Sequence, residues 1–254
     1  MATGRTTLNY WRVYIDGYDM SGYSRSIGDF GATFETGTDD AMSLAVKGMI
    51  PGQATISAGT VNAIFDNTAT SGIHAIGSSI GLTRDVCYAR GVQAAPADND
   101  VTFAGQFKQS GYSAANGDSI VVATIPFEST SALAGNKRYA NPFGVLLHAK
   151  AAETAANSAT GLDQSAQTTL GGWMQYHVFA GNGTAAIKVQ DADTNSDGSF
   201  GDLLSSGTID CSTVQHGVQA LAYGATVERY VRWQVTLGTA TTVTFAISWH
   251  RNNL

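Results

Sequence analysis

Residues 190–204 read QDADTNSDGSFGDLL. Asp193, Asn195 and Asp197 fall at alternate positions and Gly198 follows, the spacing with which an EF-hand-type loop sets its first ligands ahead of a required glycine. Oxygen donors so arranged would take a hard cation such as calcium. The pattern then fails. Position 12 counted from Asp193 is Leu204, where a bidentate Glu is needed, and Asp202 stands at position 10. Asn, Asp, Ser and Gly are also turn residues, because they tolerate positive φ and hydrogen-bond their own backbone. The stretch reads as the tip of a hairpin, with Asp193, Asn195 and Asp197 only a weak cation candidate. No metal and no cofactor is otherwise expected.

The remaining chemistry-bearing residues are scattered. His74, His148, His177, His216 and His250 form no HxH, HExxH or HxxxH spacing. His177 lies among aromatics in WMQYHVF and reads as a core or interface histidine. Glu35, Glu128, Glu153 and Glu228 are too sparse to propose as a carboxylate pair for sugar hydrolysis. There is no GxSxG elbow, though a triad assembled from distant residues leaves no local signature. GQATISAG at 52–59 and GNGTA at 181–185 are neither GxGxxG nor GxxxxGK, and read as turns. Cys87 and Cys211 stand 124 residues apart, outside any CxxC motif, and read as small buried residues. These patterns point to no enzyme.

The bulk numbers bound the fold that would carry such residues. The chain has 254 residues, 43% apolar and 13% charged, with 29 glycines. The charged fraction is about half the usual ~25%, so a packed chain is expected rather than a disordered one. Net charge is −6, and no basic run interleaves with aromatics, which argues against a surface that grips nucleic acid. No signal-peptide h-region is read in MATGRTTLNYWRVYIDG, and no apolar run is long enough to span a membrane.

Wherever the chain is apolar, its period is two. TTVTFAISWHR sets Val243, Phe245, Ile247 and Trp249 against Thr244, Ala246, Ser248 and His250, the alternation of a half-buried strand. ERYVRWQVTLG does the same with Val231, Trp233, Val235 and Leu237, and the short Gly-led link between the two predicts a hairpin. WRVYI predicts a strand ending in a turn at Asp16-Gly17, and Pro51-Gly52 predicts a break in the run from Lys47 to Phe65. VTFAGQFKQ, GDSIVVATIPFES and TAAIKVQD are further strands. HAKAAETAANSATG, residues 148–161, is Ala-rich but almost without large apolar residues, and predicts a short helix or a loop. A composition shift at 151–171, rich in Ala, Ser, Thr and Gln, divides an N-terminal β segment, 1–150, from a C-terminal one, 172–254, unless all form one compact domain. The expected fold is all-β, a sandwich or barrel with little helix.

Two regions resemble a known family. VYIDGYDMSGYSRSIGDF followed by AVKGMIPGQATISAGTVNAIFDN is similar to the N-terminal part of the tail tube proteins of long-tailed, siphophage-like bacteriophages. GGWMQYHVFAGNGTAAIKVQDADTNSDGSFGDLL and VERYVRWQVTLGTATTVTFAISWHR resemble the C-terminal half of such virion proteins, although there the hairpin at 191–198 is shorter. The resemblance implies a β fold whose sheets join between subunits, self-assembly into hexameric rings stacked as a hollow tube, and genome ejection through its lumen. It implies contacts with further copies of the chain and other tail proteins, DNA that passes without specific binding, no membrane partner, and a place in the virion tail after synthesis in the host cytoplasm. FGATFETGTDDAMSLAVK, residues 30–47, then becomes an acidic inter-subunit loop, with Glu35, Asp39, Asp40, Met42 and Leu44 as contact residues. Two other readings compete. A capsid decoration protein would be a second structural role, and a carbohydrate-binding β-sandwich would use exposed rings such as Trp11, Trp173 and Trp249.

Overall fold

The computed structural model describes residues 10–39, 48–92, 94–117, 119–130 and 141–252. The strands in chain order are β1 (Trp11–Ile15), β2 (Tyr18–Asp19), β3 (Ser24–Ile27), β4 (Gly31–Asp39), β5 (Gly48–Ser57), β6 (Gly59–Ile64), β7 (Thr83–Arg90), β8 (Val101–Gln109), β9 (Ser113–Asn116) and β10 (Val121–Ser129). They continue with β11 (Phe143–Glu153), β12 (Asn157–Ser158), β13 (Leu162–Asp163), β14 (Gly172–Gly181), β15 (Thr184–Ala192), β16 (Gly201–Ser205), β17 (Ile209–Asp210), β18 (Gln215–Ala220), β19 (Tyr230–Leu237) and β20 (Val243–Arg251). One helix of five residues, α1 (Ile73–Gly77), follows β6. The fold is all-β with little helix, as the alternation requires.

A large antiparallel sheet runs β18-β14-β20-β11-β8-β10-β6-β3, with β7 on the other edge of β8 and β1 beyond β7. It curls, so that three apolar layers form. β1, β7 and β8 enclose Val13, Tyr88, Phe103 and Phe107 together with Val61, Ala123, Ile125 and Phe127 from β6 and β10. A second sheet, β12-β19-β15-β16, packs on β14, β20 and β11 around Met174, Ile187, Val189, Trp233, Phe245 and Trp249. Between the two halves, Tyr14, Cys87 and Ala104 meet Leu146, Trp173 and Ala246. Each large side chain so buried contributes about 1.5–3 kcal/mol.

Four expectations fail, each for a tertiary reason. The strands at 230–237 and 243–251 do not form a hairpin with each other. β19 pairs β15, whereas β20 pairs β11 and β14, so the link crosses between sheets and the apolar faces of the two strands meet across the core. β20 is also not half-buried, since Ala246, Ser248 and His250 are as enclosed as Phe245 and Trp249. Central strands lie under layers on both faces.

The Ala-rich stretch from His148 is neither helix nor loop at first. It continues β11, which pairs β20 from Val145↔Trp249 to Glu153↔Val243. Register shifts around His148 accompany the placing of Leu146 and Leu147 in different cores. Pairing of that length overrides Ala helix propensity. Pro51-Gly52, finally, does not break its strand. β5 runs through it opposite Thr36 in a two-stranded ribbon, whose free edges do not need the missing N–H. The break falls at Ala58-Gly59 instead, where Gly59 has φ 66° and a Cβ would lie 2.5 Å from the Asp29 carbonyl.

Candidate assembly ribbon and a buried polar clasp

The acidic segment expected to be a loop begins as a strand. β4 and β5 form a two-stranded sheet of their own, in register from Gly31↔Ser57 to Asp39↔Gly48, and among the described residues neither arm pairs with another strand. Glu35 falls at a register shift between Phe34 and Thr36, and Asp39 is the last residue of β4. Asp40, Met42 and Leu44 lie outside the described residues. The root of the ribbon is anchored. The Ile56 N–H donates to Ser129 Oγ at 3.0 Å, and that hydroxyl donates to the Ile56 carbonyl. Tyr88 donates its hydroxyl to the Ala58 carbonyl at 2.9 Å, and Phe30 packs edge-on to Trp11 and Tyr88. An antiparallel ribbon with both edges open presents backbone donors and acceptors to whatever lies beside it.

The 193–200 stretch is the tip of the β15–β16 hairpin, closed by a 3₁₀ turn at Asp197–Ser199. Its side-chain oxygens serve the fold. Arg232, only 5% exposed, donates Nη1 to Asp197 Oδ1 at 2.7 Å and stacks on Phe200. Asn195 exchanges two 3.1 Å hydrogen bonds with the Gly161 backbone. Asp193 is exposed. Among the described residues, no three His, Cys, Asp or Glu side chains gather as a metal cluster.

The other residues singled out in the sequence stand apart. Glu153 accepts from Asn157 and lies 3.2 Å from His148; Glu228 accepts from Gln167; His74 meets Tyr112. Glu128 lies exposed in β10 and Cys211 is buried. The Cys87 thiol is enclosed, and burial pushes its pKa up to about 12. Trp173, Trp233 and Trp249 are all core residues, Trp173 stacked on His250 at 3.9 Å, so only Trp11 keeps part of its ring in solvent.

The densest polar cluster was not visible in the sequence. Asp16 and Gly17, with φ 49° and 81°, close the β1–β2 hairpin as a primed turn. A Cβ on Gly17 would lie 2.4 Å from Val214, so the turn can press under β18 only with glycine there. Asp16 Oδ2 accepts from Arg84 Nη1 at 2.7 Å and Oδ1 from the Asp85 N–H at 2.8 Å. Arg84 also donates to Gln109 Oε1 at 3.0 Å and to the Ile76 carbonyl at 2.6 Å. Asp85, pointing the other way, takes Gln106 at 2.9 Å and His216 Nδ1 at 2.6 Å. His216 belongs to β18 in the facing layer, so this contact joins the two halves of the curled sheet.

The charges follow the geometry. Burial works to raise the Asp85 carboxyl, but the bond and charge of His216 outweigh it and hold Asp85 below the ordinary range. Burial would lower His216, and Asp85 wins there too, raising it. His177 accepts from the Gly17 N–H at 3.0 Å, and burial pushes it down to about 3, so it is neutral. The Asp85–His216 pair could polarise a proton. Among the described residues, however, the only hydrogen bond assigned to the His216 ring is that from Nδ1. The sequence signal for this cluster was slight: a charged pair, Arg84-Asp85, at the head of the apolar run VCYA.

Neither a protein-family model nor a curated protein matches the chain. Among solved structures it is similar to the Dit protein of phage SPP1, described as a paradigm of the hub adsorption apparatus in phages infecting Gram-positive bacteria. The identity is 14%, the match covers 96% of this chain and 99% of that one, and the TM-score is 0.32.

Proposed function

We propose that the chain is a structural virion protein that self-assembles into stacked rings forming a phage tail tube, the conduit for genome delivery. The single observation that carries the reading is the β4–β5 ribbon, a sheet apart from the other two with both outer edges unpaired among the described residues. An open-edged ribbon is an aggregation liability in a monomer and a joint in an assembly. The order of strand and turn motifs along the chain, which resembles tail tube proteins, supports the same reading. So does the net charge of −6, because a lumen poor in cations would not trap phosphate. On this reading the chain's partners are further copies of itself and other tail proteins, its place is the virion tail, and it catalyses nothing.

The ribbon can be removed without disturbing its root. Thr33 and Thr55 are cross-strand partners, so replacing residues 34–54 by Asn-Gly closes a two-residue hairpin. The truncated protein is expected to keep the parent's circular dichroism and unfolding midpoint but to sediment as a small species at concentrations where the full chain polymerises. Polymerisation equal to that of the full chain would refute the role given to the ribbon.

A further inference from the structure

Each half of the curled sheet keeps a core of its own. The buried residues of one core all lie between Val13 and Phe127, and those of the other between Leu147 and Trp249. Within the large sheet, β8 and β11 stitch the halves together by three residue pairs, from Phe143↔Phe103 to Val145↔Val101. Elsewhere the halves meet face to face, and two histidines reach across that joint. His177 on β14 and His216 on β18 are direct cross-strand partners. His216 Nδ1 lies 2.6 Å from Asp85 Oδ2 and 3.7 Å from Asp16 Oδ1. His177 Nδ1 accepts the Gly17 N–H at 3.0 Å, which leaves the one proton of the neutral ring on Nε2. Neither that Nε2 nor Gln175 Oε1, on the same face of β14, has a hydrogen-bond partner among the described residues. Buried polar atoms left in this state make the joint weaker than the cores on either side of it.

A second proton on His177 has one place to go. It must sit on Nδ1, where the Gly17 N–H already points, so that two donors face each other. The surrounding groups offer little relief. Asp85 attracts the proton from β7 but is engaged by His216, and Asp16 in the turn is held by Arg84 Nη1 at 2.7 Å. His216, which carries its own proton in acid, repels it. Tyr14 from β1 and Phe179 from β14 set their rings against the imidazole. Cys87 and His250 both turn to the Ser248 hydroxyl, and Lys150, over the far side of Phe179, is paired with Asp19 at 2.7 Å. We propose that the joint is an acid-opened latch: a proton on His177 Nδ1 expels the Gly17 N–H and parts the two halves, while each keeps its own core. A proton refused by the closed joint and taken up by the open one shifts the balance toward opening by up to about tenfold for each pH unit below the ordinary histidine range.

The two native cysteines report on the latch. Cys87 lies in the joint, and Cys211 lies in the core of the second half. The folded chain is labelled with a dipyridyl disulfide, which attacks thiols in acid, from about pH 7.5 down to about pH 4. The rate at each cysteine is followed by peptide mass spectrometry and divided by its rate in the urea-unfolded chain at the same pH. Cys87 is expected to gain reactivity as pH falls, with Cys211 still protected and the far-UV circular dichroism unchanged. In His177→Gln the side-chain oxygen can take the Gly17 N–H without titrating. The ratio of the wild-type to the variant rate at Cys87 should therefore grow by up to about tenfold for each pH unit below about 6.5. A ratio that does not change with pH overturns the proposal. So does Cys211 labelling in step with Cys87, which is the mark of global unfolding. If His177→Gln does not fold, the wild-type chain decides alone: a gain confined to Cys87 supports the latch, and no gain in acid overturns it.

Discussion

Arg84→Met tests the buried ion pair at the base of the clasp, which fixes the Asp16-Gly17 turn against β7 and β8. Arg84 is 8% exposed and spends its donors on Asp16 at 2.7 Å, Gln109 at 3.0 Å, Ile76 at 2.6 Å and Ser79 at 3.2 Å. Methionine fills much of the space but supplies no donor. Asp16, also 8% exposed, keeps the Asp85 N–H on one oxygen and loses its counter-charge on the other. Removing one partner of a buried pair costs about 3–5 kcal/mol, because the other is left charged and unpaired. In a chain of this size each kcal/mol moves the midpoint by about 2–4 °C, so a drop of roughly 6–20 °C is expected. Adding Asp16→Asn removes the stranded charge while keeping an oxygen for the Asp85 N–H. The double variant should therefore recover about 1 kcal/mol or more relative to additivity. Urea unfolding followed by tryptophan fluorescence suits the measurement, since Trp173, Trp233 and Trp249 are buried. A loss below about 1 kcal/mol for Arg84→Met, or strict additivity of the pair, would refute the reasoning.

Three further outcomes follow from the histidines and the enclosed cysteine. Burial pushes both His177 and His250 down to about 3, so the unfolded chain takes up two protons near pH 6.5 that the folded chain refuses. Stability should fall as pH drops from about 6.5 toward 4.5, approaching roughly 2.7 kcal/mol per pH unit, and His177→Gln should halve that slope. His216 works in the opposite sense. Its raised pKa gives a contribution complete below 6.5 that is lost as pH climbs through the folded value, so His216→Gln should flatten the alkaline side of the profile. The lowered Asp85 adds a loss only when pH falls below its ordinary range near 3.8. Cys87, fully enclosed, should react with a thiol reagent only at the rate of opening; fast labelling of the folded protein at that position would show the central layer to be open.

Local pattern was enough to find β1, β8, β10, β15, β19 and β20, but not β7, β14 or β18. Val231, Trp233 and Val235 alternate with polar residues and are buried as that alternation requires. It could not say which strands lie side by side. β19 and β20 follow each other through a five-residue link and yet enter different sheets, because β20 needs two neighbours and finds them 62 or more residues away in β14 and β11. β11 shows the same limit from the other side, since Ala-rich residues become a strand only through β20. The hairpin tip at 193–200 was legible because turn chemistry is local; the use of Asp197 to neutralise Arg232 was not, because their partnership spans 35 residues. The clasp was least legible of all. Asp16, Arg84 and His216 sit in three unremarkable local contexts; the pairing of β1 with β7 brings the first two together, and only the curl of the sheet adds His216.

The most direct test of the central claim is negative-stain electron microscopy of the purified full-length chain, over a range of concentrations and after standing. The account predicts hollow tubes, or stacked rings with a central hole, formed by this chain alone. Small monodisperse particles at every concentration would contradict it.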